Sequence, residues 1–226
     1  MKIATWNVNS IRQREAHVRR WLERARPDIL VLQEIKCETA AFPAALFEAL
    51  GYRGEAVGQK AYNGVAVLAR VPFKVTHRAL PGLPADDAQA RYIELVADGM
   101  TVIGVYVPNG NSGGEAGFAY KLAWLDRLRE RAALLLDADT PLVIAGDFNV
   151  CPTDDDYAPG ALSPNDALLR PESRARFRRA PSPRQRSARS ARATAARETV
   201  PGSPAAAARR PAPAPPAPDP HPSGTR

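Results

Sequence analysis

The sequence predicts an α/β protein with a mixed β-sheet over residues 1–179, followed by a disordered tail over residues 180–226. Three observations support this prediction. Apolar runs typical of strands alternate with helical patterns, as they do in β-α-β units. One Asp-Gly pair lies between two strand-like runs and favours an antiparallel hairpin. Large apolar residues almost disappear after residue 179, so the core must lie before it.

The chain begins with a predicted β-α-β unit. A strand over residues 3–6 precedes a helix whose apolar residues recur at helical spacing, namely Val18, Trp21, Leu22 and Ala25. Pro27 ends this pattern before an apolar strand over residues 29–32. Pro43 begins a short helix over residues 43–50, which Gly51 can close because glycine adopts a left-handed backbone at little steric cost.

The middle of the chain predicts further strands and one long helix. Three strand-like runs follow the short helix, over residues 65–69, 92–97 and 101–107. Asp98 and Gly99 tolerate positive φ, so the last two runs are expected to pair antiparallel. One face of the long helix is apolar: Phe118, Leu122, Leu125, Leu128, Ala132 and Leu135. Pro141 precedes a final strand over residues 142–146.

The composition of residues 180–226 predicts disorder. Val200 is the only large apolar residue there, and arginine, alanine and proline dominate. Such a segment cannot bury enough surface to offset an ordering cost of roughly 1–2 kcal/mol per residue. Its eight arginines against two acids account for +6 of the +7 formal charge, so residues 1–179 are nearly neutral and overall charge does not identify a partner. Weak, salt-sensitive nucleic-acid binding by the tail is an alternative to plain disorder.

The two cysteines, Cys37 and Cys151, are too few for a disulfide framework and favour a reducing compartment. We interpret both as small buried thiols rather than as a redox switch. No long apolar stretch follows Met1, and no apolar run reaches membrane-spanning length. We therefore expect a cytoplasmic protein without a membrane partner.

Three predicted strands each lead into a side chain suited to a metal ion or a phosphate: Asn7, Glu34 and Asp147. Mg²⁺ prefers oxygen ligands and usually takes only one or two protein carboxylates, a role that Glu34 fits. Asp147 could orient or deprotonate an attacking water, and Asn149 could hydrogen-bond the phosphate or the nucleophile. Any one of these residues alone is more often a turn or capping residue. Their joint pattern predicts phosphoester chemistry.

Three further residues could complete the same pocket. Tyr106 and Asn109 follow another apolar strand and would supply neutral hydrogen-bond donors. Arg91 would supply a cation for a phosphate group.

Residues 1 to about 179 resemble the exodeoxyribonuclease III type of apurinic/apyrimidinic endonuclease, in the endonuclease/exonuclease/phosphatase superfamily. Five segments carry the resemblance: Thr5-Trp6-Asn7-Val8-Asn9-Ser10, Leu32-Gln33-Glu34-Ile35-Lys36, Asn63-Gly64-Val65-Ala66, Tyr106-Val107-Pro108-Asn109-Gly110 and Gly146-Asp147-Phe148-Asn149-Val150-Cys151-Pro152-Thr153-Asp154.

The resemblance implies a partial four-layer α/β sandwich of the deoxyribonuclease I-like kind, with two face-packed mixed β-sheets and residues 1–179 as an incomplete domain. It implies Mg²⁺- or Mn²⁺-dependent hydrolysis of phosphodiesters in double-stranded DNA, at abasic sites and 3′ ends, by a monomer. By this likeness Glu34 ligates the metal and Asn7 assists it. Tyr106 contacts the scissile phosphate, while Asp147 and Asn149 position nucleophile and phosphate.

The sequence also departs from this family. Its members continue with an Asp-bearing strand motif and a Ser-Asp-His motif, and none of His17, His77 and His221 follows Ser-Asp here. The family's catalytic histidine therefore has no counterpart in this sequence. Loss of one such transition-state donor costs about 3–4 kcal/mol, or roughly 10²–10³ in rate, so we expect weak activity or none. The abrupt change near residue 180 suggests a truncated or frameshifted reading frame. An incomplete domain should also leave an apolar sheet face exposed.

Two other functions remain open at this point. One is a phosphatase that acts on small phosphoesters with the same Asn, Glu and Asp-x-Asn chemistry. The other is a non-catalytic fragment or a DNA-binding pseudoenzyme, which the absent histidine favours.

Overall fold

The computed structural model describes residues 1–179, and the predicted tail over residues 180–226, with His221, lies outside them. The described strands are β1 Ile3–Asn7, β2 Ile29–Gln33, β3 Arg53–Val57, β4 Val65–Ala69, β5 Phe73–His77, β6 Tyr92–Ala97, β7 Met100–Tyr106 and β8 Leu142–Asp147. The α-helices are α1 Ile11–Ala25, α2 Ala44–Glu48, α3 Gly114–Asp137 and α4 Pro171–Arg178. Short 3₁₀ turns lie at Thr39–Ala41 and Asp154–Asp156.

The strands form two four-stranded sheets, and each sheet is mixed. The first has the order β1-β2-β4-β3, with β1 and β2 parallel and the other neighbours antiparallel. The second has the order β5-β6-β7-β8, with β7 and β8 parallel and the other neighbours antiparallel. Each sheet therefore ends in one parallel pair, whose outer strand is β1 or β8.

The main core lies between the two sheets. Strand β2 shows why its sequence is an unbroken apolar run: Ile29 and Val31 point into the core between the sheets, while Leu30 and Leu32 pack under the helices. A strand buried on both faces needs apolar residues at every position. Burying each such side chain contributes about 1.5–3 kcal/mol.

Helices cover the outer face of each sheet. Val18 and Leu22 of α1 and Phe47 of α2 pack on the first sheet, and Trp124 and Leu128 of α3 pack on the second. The order of layers is helix, sheet, sheet, helix, which confirms the predicted four-layer sandwich. The expectation of an exposed apolar sheet face is wrong for residues 1–179, because the two sheets bury their facing sides against each other.

Several predicted details are confirmed and others were missed. Asp98 and Gly99, with φ of 50° and 71°, connect β6 and β7 as a tight antiparallel hairpin. Strands β3 and β5 and helix α4 were not predicted. Strand β3 contains Gly54 and is half-buried at a sheet edge, so its sequence lacks a strong strand pattern. Within the described part of the chain, no helix combines the length and apolarity needed to cross a bilayer.

Candidate active site

The two parallel strand pairs bring the predicted residues to one place. Asn7 ends β1 and Glu34 follows β2, its parallel neighbour. Tyr106 and Asp147 are register partners at the ends of β7 and β8. Strands β1 and β8 also lie against each other across the two sheets. The carboxyl ends of both parallel pairs therefore meet at a single edge of the sandwich, the position where open α/β sheets usually bind ligands.

Asn7 joins the two carboxylates of this site. Its Nδ2 donates to Glu34 Oε1 and to Asp147 Oδ2, each at 2.8 Å. Its Oδ1 accepts a hydrogen bond from the Asn9 backbone N–H at 3.0 Å. Ionised carboxylates only accept hydrogen bonds. This orientation of the Asn7 amide is therefore the one that gives both carboxylates a donor and the Asn9 N–H an acceptor. Asn7 thus offers its NH₂ group, rather than its oxygen, to the two carboxylates.

Glu34 is held as an anion. Burial raises the pKa of its carboxyl, but hydrogen bonds from Asn7 and Lys36 outweigh this effect and lower the pKa below its ordinary value. Lys36 Nζ lies 3.0 Å from Glu34 Oε2 and also contacts Asn9 Oδ1. Glu34 and Lys36 both have positive φ, 51° and 50°, a conformation that non-glycine residues adopt at a cost and that is frequent at functional sites.

Tyr106 and Arg91 form the next part of the site. Burial, together with the charge and hydrogen bond of Glu34, raises the pKa of Tyr106 to about 12, so its phenol stays protonated and can donate. The Arg91 guanidinium carbon lies 5.0 Å from the centre of the Tyr106 ring, and Nη1 donates to the Tyr106 carbonyl at 3.3 Å. Gln89 accepts from Arg91 Nε at 3.0 Å. The cation is thus fixed beside the phenol.

Asn109 and Asn149 lie on the other side of Asp147. The Asn149 backbone N–H donates to Asp147 Oδ1 at 2.9 Å, and Asn149 Nδ2 donates to the Val107 carbonyl at 2.7 Å. Asn109 Nδ2 donates to Asn149 Oδ1 at 3.2 Å. Each NH₂ group keeps a second N–H that these bonds do not use. All seven predicted site residues therefore belong to one connected group of contacts.

The sequence interpretation missed two lysines at this site. Lys36 lies in the segment Leu32-Gln33-Glu34-Ile35-Lys36, and a cation two residues after Glu34 is the signal that could have predicted their ion pair. Lys121 lies on the apolar face of α3, three residues after Phe118 and four before Leu125, and it is fully buried. A charged residue at a core position of a helix is the signal that could have found it.

The oxygen donors present fit Mg²⁺ or Mn²⁺ better than a metal that prefers nitrogen or sulfur. Glu34 and Asp147 supply two carboxylates, which is the usual protein contribution to a Mg²⁺ site. No group of three or more His, Cys, Asp or Glu residues that could hold a metal occurs within residues 1–179. His17 lies exposed on α1, and His77 contacts Glu94, so neither histidine of the described residues belongs to the site.

Cys37 and Cys151 are both buried, as the sequence predicted. Burial raises the pKa of each thiol above its ordinary value, which disfavours the reactive thiolate.

Comparison with known proteins agrees with the fold. Residues 4–224 match the Endonuclease/Exonuclease/phosphatase family. Exodeoxyribonuclease III of Haemophilus influenzae is 34% identical over 190 residues, which cover 79% of this chain and 71% of that enzyme. A variant of the 3′ phosphatase NExo from Neisseria, solved with a product DNA hairpin, superimposes with a TM-score of 0.72 at 38% identity, covering 79% of this chain and 69% of that one. An AP endonuclease from Archaeoglobus fulgidus gives a TM-score of 0.71 at 37% identity, over 79% and 68% of the two chains.

These matches agree with the four-layer α/β fold, and the chain belongs to the endonuclease/exonuclease/phosphatase family. Its relatives within that family include an exodeoxyribonuclease III, an AP endonuclease and a 3′ phosphatase.

Proposed function

We propose that this chain hydrolyses phosphodiesters of double-stranded DNA at abasic sites and 3′ ends, with Mg²⁺ or Mn²⁺ and with slow turnover. One observation carries the proposal: the Asn7 amide holds the Glu34 and Asp147 carboxylates together where two parallel strand pairs end. The relatives support the choice of substrate, since one is an AP endonuclease and another is a 3′ phosphatase solved with a DNA product.

Glu34 and Asp147 are the residues that would hold the divalent cation. When bound, such an ion neutralises charge on the phosphate and on the leaving oxygen. The remaining positions around the ion would be left to water and to substrate phosphate, as is usual for Mg²⁺.

The residues around the two carboxylates would act on the phosphate and on the nucleophile. Asp147 orients the attacking water, and the Asn149 N–H at 2.9 Å fixes the orientation of this carboxylate. Tyr106, protonated at neutral pH, donates to a phosphate oxygen. The free N–H groups of Asn109 and Asn149 and the Arg91 cation add to the same electrostatic stabilisation.

Turnover is expected to be slow because the described residues place no imidazole at the site. A missing donor of this kind lowers the rate by roughly 10²–10³. Binding of DNA and of the metal ion does not depend on that group and should persist.

The decisive experiment is cleavage of a duplex with one abasic site by the purified chain in Mg²⁺, with EDTA as control. We expect slow, EDTA-sensitive cleavage that Glu34→Gln and Asp147→Asn each abolish. Cleavage that continues in EDTA would contradict the proposal. Metal binding by calorimetry without any cleavage would instead identify a pseudoenzyme, and preferential hydrolysis of small phosphoesters such as inositol phosphates would identify a phosphatase.

A further inference from the structure

Lys121 is a buried lysine whose three N–H donors are all used by backbone carbonyls. Nζ donates to the carbonyl of Asn109 at 3.0 Å, of Asn149 at 2.6 Å and of Ala167 at 3.1 Å. An ammonium group has three donors and no acceptor, so this set of partners satisfies it completely. Hydrogen bonds from a charged donor are stronger than those from a neutral one.

The three carbonyls belong to separate loops that this side chain brings to one atom. Asn109 lies in the loop after β7, Asn149 in the loop after β8 and Ala167 in the loop before α4. Two of the three loops carry amides of the candidate active site, and those amides are hydrogen-bonded to each other at 3.2 Å. The position of each amide is therefore tied to the same ammonium.

We infer that Lys121 is a positioning residue, which holds the Asn109 and Asn149 amides at the separation that phosphate recognition requires. The role in phosphate recognition rests on the proposed function, whereas the contacts of Lys121 with the two loops do not depend on it. Lys121 acts through the backbone of the two asparagines and does not touch the substrate.

The packing around the lysine stem supports this inference. A Cβ atom placed on Gly110 would lie 2.7 Å from Lys121 Cδ and 3.1 Å from Ala167 Cβ. The glycine thus lets the Asn109 loop close onto the aliphatic stem. Ser173 Oγ donates to the same Ala167 carbonyl at 2.7 Å, which attaches α4 to this arrangement.

The charge of Lys121 is available near neutral pH. Burial lowers the pKa of the ammonium to about 8, and the negative charges of Asp166 and Asp147 oppose this decrease. Burying an ammonium is costly, and three carbonyl partners offset that cost. A plain core position would hold an apolar residue at lower cost.

The same helix offers a matched control. Arg131 is also a cation of α3, and it donates to Glu94 at 2.9 and 2.7 Å, away from the seven site residues. The test compares Lys121→Met with Arg131→Met, since each keeps an unbranched side chain and removes one anchored charge. Lys121→Gln, which keeps two N–H donors without the charge, is the intermediate variant.

Two measurements are made on each variant. The first is native-state amide hydrogen exchange at Val107, Asn111, Asn149 and Cys151. Their N–H groups lie in the loops after β7 and β8 and are all hydrogen-bonded, that of Cys151 to the Leu168 carbonyl in the loop before α4. The second is the affinity for a duplex with a stable abasic-site analogue in Mg²⁺. For Lys121→Met we expect exchange at these amides to be about tenfold faster and affinity about tenfold weaker than for Arg131→Met, with Lys121→Gln between wild type and Lys121→Met.

The outcomes separate this inference from the proposed function. If Lys121→Met behaves as Arg131→Met does at these amides, Lys121 is only a structural anchor and the inference is wrong. If the wild type does not bind the duplex, the proposed function fails while the exchange data still decide the role of Lys121. If Lys121→Met does not fold, Lys121→Gln against Arg131→Met gives the same two outcomes.

Discussion

Asn7 donates a hydrogen bond to Asp147 at 2.8 Å, although the two residues are 140 positions apart in the sequence. The same amide nitrogen donates to Glu34, so one side chain on the first strand fixes two carboxylates from two different sheets. Two carboxylates held close together repel each other, and a donor between them offsets that repulsion.

Removal of this donor is the first prediction. Asn7→Ala should lower the free energy of unfolding by about 1–3 kcal/mol, because both carboxylates lose a partly buried hydrogen bond. It should also weaken Mn²⁺ binding, since Glu34 and Asp147 are no longer held in one geometry. Urea unfolding and calorimetric titration with Mn²⁺ measure the two effects. Asn165→Ala, an exposed position, is the control and should change stability by less than about 0.5 kcal/mol. Equal effects of both substitutions would show that the hydrogen bonds from Asn7 to Glu34 and Asp147 contribute neither to stability nor to Mn²⁺ binding.

Lys36 provides the second prediction. Its ammonium contacts Oε2 of Glu34, whereas Asn7 donates to Oε1. A divalent cation must compete with the Lys36 ammonium for Oε2. The two side chains are 31% and 20% exposed, and an ion pair of this kind contributes at most about 1 kcal/mol. Lys36→Met should therefore strengthen Mn²⁺ binding, by up to about fivefold.

Calorimetry at neutral pH tests this, with Lys60→Met at an exposed position as the control. Weaker binding by Lys36→Met would mean that the lysine supports the metal site instead.

Much of this arrangement could be predicted from the sequence, because it depends on local patterns. The apolar run of β2 and the Asp98-Gly99 turn each specify their element without help from distant residues. Asn7, Glu34 and Asp147 could be found for the same reason, since each adjoins the end of an apolar strand. The sequence could not reveal that Asn7 presents its nitrogen to both carboxylates, because this depends on β1 lying next to β8.

Lys121 shows most clearly what local patterns leave out. Its partners are three carbonyl groups, and a carbonyl is present at every residue, so no partner motif exists in the sequence. Strands β3 and β5 were missed for a related reason. Each lies at a sheet edge, where pairing with one neighbour determines the structure more than the strand's own sequence does.

The acid sensitivity of the fold is the third prediction, and it depends on Glu94. This buried carboxylate accepts hydrogen bonds from Arg131, Tyr92 and Thr76. Burial alone raises the pKa of Glu94, but these donors outweigh it and lower the pKa to about 2 from an ordinary value of 4.5. A carboxyl with a lowered pKa in the folded state stabilises the protein above about pH 4.5, and this contribution is lost as the pH falls through 4.5 toward 2.

The linked free energy is about 3 kcal/mol, which is a large part of the stability of a domain. Urea unfolding at pH 7, 4 and 3 should show a steep loss of stability in the wild type. Glu94→Gln should be less stable at pH 7 but change less with pH, since it has no carboxyl to protonate. Glu48→Gln, at an exposed position, should keep the steep wild-type dependence. A wild-type stability that is flat between pH 5 and 3 would contradict this assignment.

Gly146 provides the fourth prediction, since it sets the distance between β7 and β8 just before Asp147. Its φ is 154°, and a Cβ atom there would lie 2.0 Å from the Val105 carbonyl oxygen, far inside van der Waals contact. Gly146→Ala should therefore push β8 away from β7 and lower the free energy of unfolding by at least about 3 kcal/mol. Because Asp147 and Tyr106 are register partners on these two strands, the same shift should also weaken Mn²⁺ binding.

Gly51→Ala separates the backbone cost from the steric one, since Gly51 has φ of 81° but nothing within 4 Å of the added atom. That control should cost only about 1–2 kcal/mol and leave Mn²⁺ binding unchanged. If both alanine variants lose the same stability and bind Mn²⁺ equally well, close approach of β7 and β8 does not position Asp147.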